Sequence, residues 1–410
     1  MDEQLIHPPV ETDIFMSPTS LSPSDAFSAN PRYIELQEEL RDLLVAGVSS
    51  LDPSKQTTPE PRKDGSGYEA PHRTLDFSRV SIPKMKLITY LKNWVIECAP
   101  YLDKFDESRH FGIQVPLMAQ SSSALFYAVL AFSARQTERK ACLDKSYDSL
   151  ELYQESIRLL APGLQAKDPN MLVTACILAV LELMSGSPRN WRRHIEGCAS
   201  LFAFYDINGF SGGLLQAVFW CYARMELCGA IISGGAESTV LSLDKWVPAT
   251  PQGIRTSKEK DDFVKSIFYQ KSRESADMHA NWAVYLCAKA CDLMYRRVKH
   301  VELGETDMTD DRSFAEQWKG LWGELQFWRD SRPEALLPLM AAETVDGNVF
   351  PTILFSHRAA ISSNQLYHAA CILMLDLKPA RELLPPKRAR LSGTQEGCVE
   401  FRRRTLTRET

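Results

Sequence analysis

Cysteine is the first residue type in this chain that could carry chemistry, because its thiolate binds metal ions and attacks electrophiles. The 410 residues contain 10 cysteines, and the closest pairs are Cys221/Cys228 and Cys287/Cys291. No CxxC spacing occurs, and neither pair has a third and a fourth ligand nearby in the sequence. Because both pairs lie in apolar helical sequence, their thiols are expected to be reduced and buried. The sequence predicts no metal site and no bound cofactor.

A serine with the spacing of a catalytic nucleophile lies in GFSGG, from Gly209 to Gly213. The GxSxG elbow of α/β-hydrolases requires a strand before the serine, whereas residues 191–205 have helical periodicity. The pattern therefore favours a turn between two helices. In that turn glycine supplies a positive φ, and Gly213 is expected to let the next helix begin close to its neighbour.

Two pairs of adjacent carboxylates, Asp261-Asp262 and Asp310-Asp311, could bind a divalent cation. Both lack the third carboxylate of a DDxxD array, and adjacent residues of a helix cannot face one ligand from the same side. They are expected to lie near helix N-termini, where the macrodipole favours negative charge. With no acid–base, nucleophile or metal-binding set, the chain is predicted not to be an enzyme.

A set of aromatic and polar residues around Trp191, His194 and Trp220 could line a ligand cavity. Both tryptophans share a helical stripe with apolar neighbours, so packing in the core is the favoured interpretation. His194 follows two arginines and is expected to make a partly exposed polar contact. Arg224 and Glu226, on an otherwise apolar helix, are expected to form buried pairs with neighbouring helices.

The elements that position these residues are helices. Apolar residues recur at helical spacing from Lys84 to Leu377, and no segment of four or more residues alternates as a strand does. The predicted fold class is all-α, with a single large multi-helix domain over residues 84–377. Pro162-Gly163 is expected to end the helix at 145–160, and Asn190 is expected to cap the helix at 191–205. Helices are predicted at 84–98, 121–137, 145–160, from 168 onward, and at 191–205, 275–300, 311–329 and 352–377.

The two ends of the chain have a different composition. Residues 1–83 are rich in Ser, Pro and Asp and are predicted to be mostly disordered, with one short helix at 32–48. The chain starts with no basic segment followed by an apolar one, and the longest apolar run noted, 171–184, is too short to span a bilayer. The protein is therefore expected to be soluble and intracellular, with no membrane contact.

Residues 378–410 form a basic tail, predicted to be disordered, with nine Lys/Arg and four Asp/Glu in a chain whose net charge is -5. Two basic clusters in this tail fit a bipartite nuclear localisation signal, which predicts a nuclear protein. The residues of the two clusters are Lys387, Arg388, Arg390, Arg402, Arg403 and Arg404.

The sequence of residues 168–231 resembles one family, the regulatory helical domain known as the fungal-specific transcription factor domain. The resemblance covers roughly 87–379 and includes shorter pieces at 100–103, 116–119, 131–136 and 368–375. The residues that match the family's motifs are expected to be structural. They are Trp191, His194, Glu196, Gly197, Gly209, Phe210, Gly213, Trp220, Arg224 and Glu226.

The resemblance implies a fungal transcription regulator, of a metabolic or secondary-metabolite gene set, that acts through its helical domain. Protein partners are implied, either the transcription machinery or a DNA-binding partner, and a small-molecule effector and a homodimer remain open. The chain departs from the family because it lacks the cysteine cluster that reads DNA, so sequence-specific DNA binding of its own is not expected. The early change to a basic tail suggests a truncated member or an altered gene model. The alternative is a DNA-independent interaction or ligand-binding module descended from such regulators.

Overall fold

The computed structural model describes residues 27–50, 80–141, 147–165, 168, 170–185, 188–304, 310–342 and 352–379. Helices dominate these residues, which confirms the predicted all-α class. Two three-residue strands, β1 (Met340–Ala342) and β2 (Thr352–Leu354), pair antiparallel with Met340 opposite Leu354.

Most of the described residues lie in helices that follow one another along the chain. Proline causes a local change at Pro100, which has no N–H to donate to the carbonyl four residues earlier. There the hydrogen bonds shift to the wider π pattern over Trp94–Cys98, and a 3-10 turn over Asp103–Phe105 follows α3. The α-helices are α1 (Pro31–Ser50), α2 (Lys84–Asn93), α3 (Ala99–Leu102), α4 (His110–Ala119), α5 (Ser123–Ala141), α6 (Asp148–Gln165), α7 (Asn170–Ser185), α8 (Pro188–Tyr205), α9 (Gly213–Ile232), α10 (Ser257–Glu274), α11 (Ala276–Leu303), α12 (Phe314–Asp330) and α13 (Ala360–Asp376).

The described residues fold into two compact units, and those of the first lie within 1–91 and 119–194. In this unit α5 packs against α6 and α7, and α1 packs against α6. The sequence placed the helix at 32–48 outside the domain, but α1 buries Tyr33, Leu36 and Leu40. The predicted start of the domain at residue 84 therefore leaves out one of its packed helices.

The described residues of the second unit lie within 92–118 and 195–379, and α11 packs against α9, α10, α12 and α13. The 28 residues of α11 are buried almost continuously in their first half, as expected of a helix surrounded by others. Ser275 caps it, its side chain accepting the backbone N–H of Met278, and Gly304 ends it at φ 67°. α9 is long and apolar enough to cross a membrane by length and composition, but 61% of its most apolar window is buried inside the protein.

Several helix boundaries differ from the sequence prediction. α6 runs through Pro162 to Gln165, and α8 begins at Pro188, so Asn190 lies inside it and does not cap it. Proline fits the first turn of α8 because the N–H it lacks would have no partner inside the helix. Residues 352–354, predicted to begin a helix, pair as β2 instead.

Three helices, the short α3 and the longer α4 and α10, were not predicted. The charge-rich sequence of α10 hides a buried stripe of Val264, Phe268 and Ser272 at four-residue spacing. A capping box starts this helix, with Thr256 and Glu259 each bonding the other's backbone N–H. The capping box and the packing of this narrow stripe against α11 therefore support α10, although only one residue per turn is buried.

Candidate functional site

The carboxylates of Asp103 and Asp106 fix the conformation of the segment before α4. Asp103 is fully buried and accepts the backbone N–H of Phe111 at 2.8 Å and that of Gly112 at 2.9 Å. Burial raises the pKa of Asp103 to about 6. Asp106 accepts the backbone N–H of His110 at 2.7 Å and contacts its Nδ1 at 2.8 Å. These bonds hold the segment between the two carboxylates in a fixed conformation beside the start of α4.

The turn before α9 is the GFSGG segment, and it connects two helices as predicted. Gly212 and Gly213 have φ of 80° and 55°, the left-handed region that favours glycine. A Cβ at Gly213 would meet no atom within 4 Å, so the prediction that this residue allows a close approach is wrong. Gly209 has that role: its carbonyl accepts Trp220 Nε1 at 2.8 Å, and its N–H donates to the Trp246 carbonyl at 3.0 Å.

The start of α11 carries two polar residues four positions apart, Asp277 and Asn281, on one face of the helix. Asp277 Oδ2 accepts the backbone N–H of Glu107, and burial raises the pKa of Asp277. Asn281 Nδ2 donates to the carbonyl of Phe105 at 3.5 Å. The start of α11 is therefore bonded directly to the segment before α4.

These three elements surround a cavity of about 400 Å³ in the second unit, a volume within the range of roughly 300–1,000 Å³ that is typical of small-molecule sites. Three carboxylates lie in its wall, together with amide, hydroxyl, aromatic and thioether groups. This lining can bind a small molecule and orient it by hydrogen bonds. The lining residues are Phe105, Asp106, Glu107, Ser108, His110, Gly213, Gln216, Ala217, Trp220, Ser275, Asp277, Met278 and Asn281.

Of the residues that sequence reasoning singled out, Gly213 and Trp220 line this cavity, whereas Gly209 lies behind Trp220. Phe210 packs edge-on against Phe268 with ring centroids 4.9 Å apart. Gly197 is buried within α8 and Glu196 is exposed on it. The side chain of Trp191 and the basic clusters between 387 and 404 lie outside the described residues.

His194 is not the partly exposed contact that the sequence suggested. It is 2% exposed and its Nδ1 contacts the buried carboxylate of Glu182 in the first unit. The same carboxylate accepts the hydroxyl of Tyr153 and, at 3.2 Å, the amide of Gln37. His194 therefore belongs to a buried polar cluster that connects α1, α6, α7 and α8.

Arg224 and Glu226 are partnered mainly by backbone. Arg224 donates to the carbonyl of Leu102 at 3.1 Å and its guanidinium lies 4.8 Å from the ring centroid of Phe105. Glu226, 3% exposed, accepts the N–H of Val240 at 2.5 Å and that of Leu241 at 2.9 Å. The two side chains thus fix neighbouring segments to α9, Arg224 near the cavity wall and Glu226 at the loop after the helix.

The acidic pairs lie near helix N-termini as predicted, and Asp311 accepts the N–H of Ser257, the first residue of α10, at 3.2 Å. The partners of Asp261 and Asp310, however, are cationic side chains. Asp261 does not serve the helix dipole: it lies one turn inside α10, where it accepts Lys289 Nζ at 2.8 Å and Arg312 at 2.7 Å. Asp310 accepts the same guanidinium at 2.7 Å. Lys289 Nζ continues to Glu324 at 3.0 Å. These residues form an ion network that connects α10, α11 and α12.

The thiols are placed for packing. Burial raises the pKa of Cys221, and it raises that of Cys228 and of Cys371 to about 11. These three thiols are therefore protonated and weakly nucleophilic at neutral pH. Within the described ranges, no group of three or more His, Cys, Asp or Glu side chains could hold a metal ion.

Sequence reasoning missed the polar residues of the cavity, Asp106, His110, Asp277 and Asn281. One signal was present: SADMHAN places three polar residues, Asp277, His279 and Asn281, at alternate positions at the start of an otherwise apolar helix. Polar groups inside an apolar helix need partners, which indicates a polar site or network nearby.

Comparison with known proteins gives one kind of match. The family model described as fungal-specific transcription factor domain matches residues 89–375. No curated protein and no solved structure matches the chain.

Proposed function

The chain belongs to the fungal-specific transcription factor domain family, and from this premise we propose that it is a nuclear regulator of a metabolic or secondary-metabolite gene set. The match over 89–375 carries the proposal, because it spans helices of both units and the lining of the cavity. The family's function is transcription regulation in fungi, which makes a regulatory and non-enzymatic role the expected one here.

In this proposal the helical domain receives a signal and passes it to protein partners. The 410 residues contain no CxxC, the pair with which each half of a binuclear zinc cluster begins, so DNA binding is assigned to a partner. The partner is either a DNA-binding protein or the transcription machinery itself, and a second copy of this chain is a further candidate. The cavity is where a small-molecule effector would act.

Tethering tests the regulatory role directly. The full chain, fused to an unrelated DNA-binding domain, is expected to change expression of a reporter that carries the matching sites by several-fold relative to that domain alone. A fusion in which Trp220→Ala removes the ring bonded to Gly209 should lose this effect, because the turn before α9 loses its main contact. An unchanged reporter with the wild-type fusion present at equal level would contradict the proposal.

The basic tail supports the nuclear assignment through its two clusters. Replacing Lys387, Arg388 and Arg390 together by Ala is expected to shift a fluorescently tagged protein from nucleus to cytoplasm, because import receptors recognise the clustered charges. The matched control replaces three exposed lysines of α10, Lys258, Lys260 and Lys271, and removes the same charge. A wild-type protein that stays cytoplasmic would remove this support.

The cavity favours the second candidate function, a ligand-binding or interaction module that acts without DNA. Both candidates predict that the purified chain selects no preferred sequence from a random DNA library. A reproducible sequence-specific footprint would contradict both, whereas the tethered reporter separates them. Only a regulator changes expression when it is brought to a promoter.

A further inference from the structure

Two oxygen atoms in the cavity wall lack hydrogen-bond partners. Asp277 and Asn281 are 6% and 2% exposed, and the Oδ1 atom of each has no hydrogen-bond partner in the structure. The nearest cationic group to Asp277 Oδ1 is His357 Nε2 at 3.6 Å, beyond hydrogen-bond distance. Leaving a buried acceptor unpaired is costly, so native proteins seldom retain two of them in one site without a function.

Both residues line the cavity, and their Oδ1 atoms lie buried within its wall. Asp277 uses Oδ2 to accept the N–H of Glu107, and Asn281 uses Nδ2 to donate to Phe105, which leaves Oδ1 of each without a hydrogen bond. The two residues are one helical turn apart on the same face of α11. A single donor group could therefore be shared between them.

The charges around the cavity favour a cation. Asp106, Glu107 and Asp277 all lie in its wall. Two of the basic groups near them are occupied: His110 contacts Asp106 at 2.8 Å, and Arg224 bonds the Leu102 carbonyl. His357 and Arg358 face Asp277 from the segment before α13 and attract its carboxylate without bonding to Oδ1.

The remaining wall distinguishes an organic cation from a metal ion. Hard metal cations take about six oxygen ligands, whereas here the oxygen-bearing side chains share the wall with Trp220, Ala217 and Met278. Aromatic and thioether groups both pack against hydrocarbon, and the face of an aromatic ring also attracts an ammonium group.

From this arrangement we propose that the cavity binds a small organic amine, whose protonated nitrogen donates to Oδ1 of Asp277 and of Asn281. Its hydrocarbon part packs against Trp220, Ala217 and Met278. The role of such an amine as a transcriptional effector rests on the proposed function, but its binding does not.

The test is calorimetric titration of the purified full chain with a panel of primary amines led by 2-phenylethylamine, against 2-phenylethanol, which has nearly the same shape without the charge. Saturable one-to-one binding of an amine is expected, with the matched alcohol at least about tenfold weaker because hydrogen bonds to a charged group are the stronger kind. No binding by any amine, or equal binding of amine and alcohol, would overturn the proposal.

Variants assign the binding to this site. Asp277→Asn is expected to weaken amine binding at least about tenfold, while Asp292→Asn, further along α11 where the carboxylate pairs with Arg296 at 2.9 Å, leaves it unchanged. Ala217→Leu fills the cavity from α9 and should abolish binding, which keeps the test decisive if Asp277→Asn does not fold. Unchanged binding in both cavity variants would place the amine elsewhere and overturn the assignment.

The titration and the tethered reporter fail independently. If an amine binds and the reporter does not respond, the ligand site stands and the regulatory role is wrong. If the reporter responds and no amine binds, the regulatory role stands and the amine site is wrong.

Discussion

Gly209 shows how one residue determines the geometry of the turn before α9. A Cβ built there would lie 2.4 Å from Trp220 Cζ2, a distance that real Cβ atoms essentially never show, and 3.0 Å from the Trp246 carbonyl oxygen, which is tighter than most real contacts. The absence of a side chain lets Trp220 bond the Gly209 carbonyl, and Trp220 in turn forms part of the cavity wall. The family motif at this position is therefore explained by packing.

Replacing Gly209 by Ala is expected to lower the free energy of unfolding by about 1–3 kcal/mol, the cost of overpacking a filled site. Urea unfolding followed by fluorescence measures it. The matched control is Gly323→Ala on α12, where a Cβ meets no atom within 4 Å and alanine should stabilise by up to about 1 kcal/mol. Equal effects at the two positions would show that Trp220 does not lie against Gly209.

At the scale of elements, α1 depends on the first unit for its stability. Most helix stability in proteins comes from packing of the apolar face and not from helix propensity, and α1 has 20 residues of mixed sequence. That face of α1 places Leu40 at 0% exposure, whereas Ile34 is 44% exposed. Its polar contact is Gln37 to Glu182 at 3.2 Å.

Leu40→Ala should loosen α1 and destabilise the unit by about 2–5 kcal/mol, because it leaves a cavity against α6. Hydrogen–deuterium exchange is expected to rise over residues 31–50 and less elsewhere. Ile34→Ala, on the exposed side of the same helix, serves as the control and should leave exchange nearly unchanged. If both variants behave alike, α1 is not docked through the Leu40 face.

Lys289 also connects helices. It lies between the carboxylates of Asp261 and Glu324 and is 15% exposed. Lys289→Met would leave the two carboxylates close together without their shared cation. The expected loss is about 3 kcal/mol in the free energy of unfolding, the usual cost of breaking a buried ion pair.

The control for Lys289 is Lys271→Met, because Lys271 pairs with Glu274 at 2.9 Å on the surface of α10. Surface pairs contribute less than about 1 kcal/mol, so this variant should unfold at nearly the wild-type urea concentration. A Lys289 variant as stable as this control would mean that the network does not connect α10, α11 and α12 energetically.

For the whole molecule, the dependence of stability on pH follows from buried groups that oppose one another. Burial lowers the pKa of His279 to about 4, so this residue favours the folded state less as pH falls from 6.5 to 4. Burial raises the pKa of Asp103 to about 6, so its contribution is present below pH 3.8 and is lost as pH rises through 6. The two effects largely cancel between pH 4 and 6.5.

Removing one of the two titratable groups should reveal the pH dependence of stability that the other causes. Compared with the wild type, the gain in free energy of unfolding from pH 4 to 6.5 should be smaller by about 3 kcal/mol in His279→Gln and larger by about 3 kcal/mol in Asp103→Asn. Chemical denaturation at the two pH values measures both differences. Shifts of the same sign in the two variants would contradict this account.

The sequence by itself determined the helical class, the approximate positions of most helices and the family. These features depend on apolar periodicity, capping residues and turn glycines within a few positions of one another, as with Gly212 before α9. Such signals act locally, so they can be read without knowing which helices meet. The hidden stripe of α10 and the strand at 352–354 show where local signals are too weak.

Only the tertiary structure decided where the cavity lies and which groups partner each other. Glu107 and Asp277 are 170 positions apart and share a hydrogen bond, and Gly209 is made necessary by the position of Trp220. Their contact depends on how whole helices pack, a choice spread over many side chains with no spacing rule between distant segments. The proposed amine site depends on the tertiary structure in the same way, because only the packing of the helices leaves Oδ1 of Asp277 and of Asn281 without a hydrogen-bond partner.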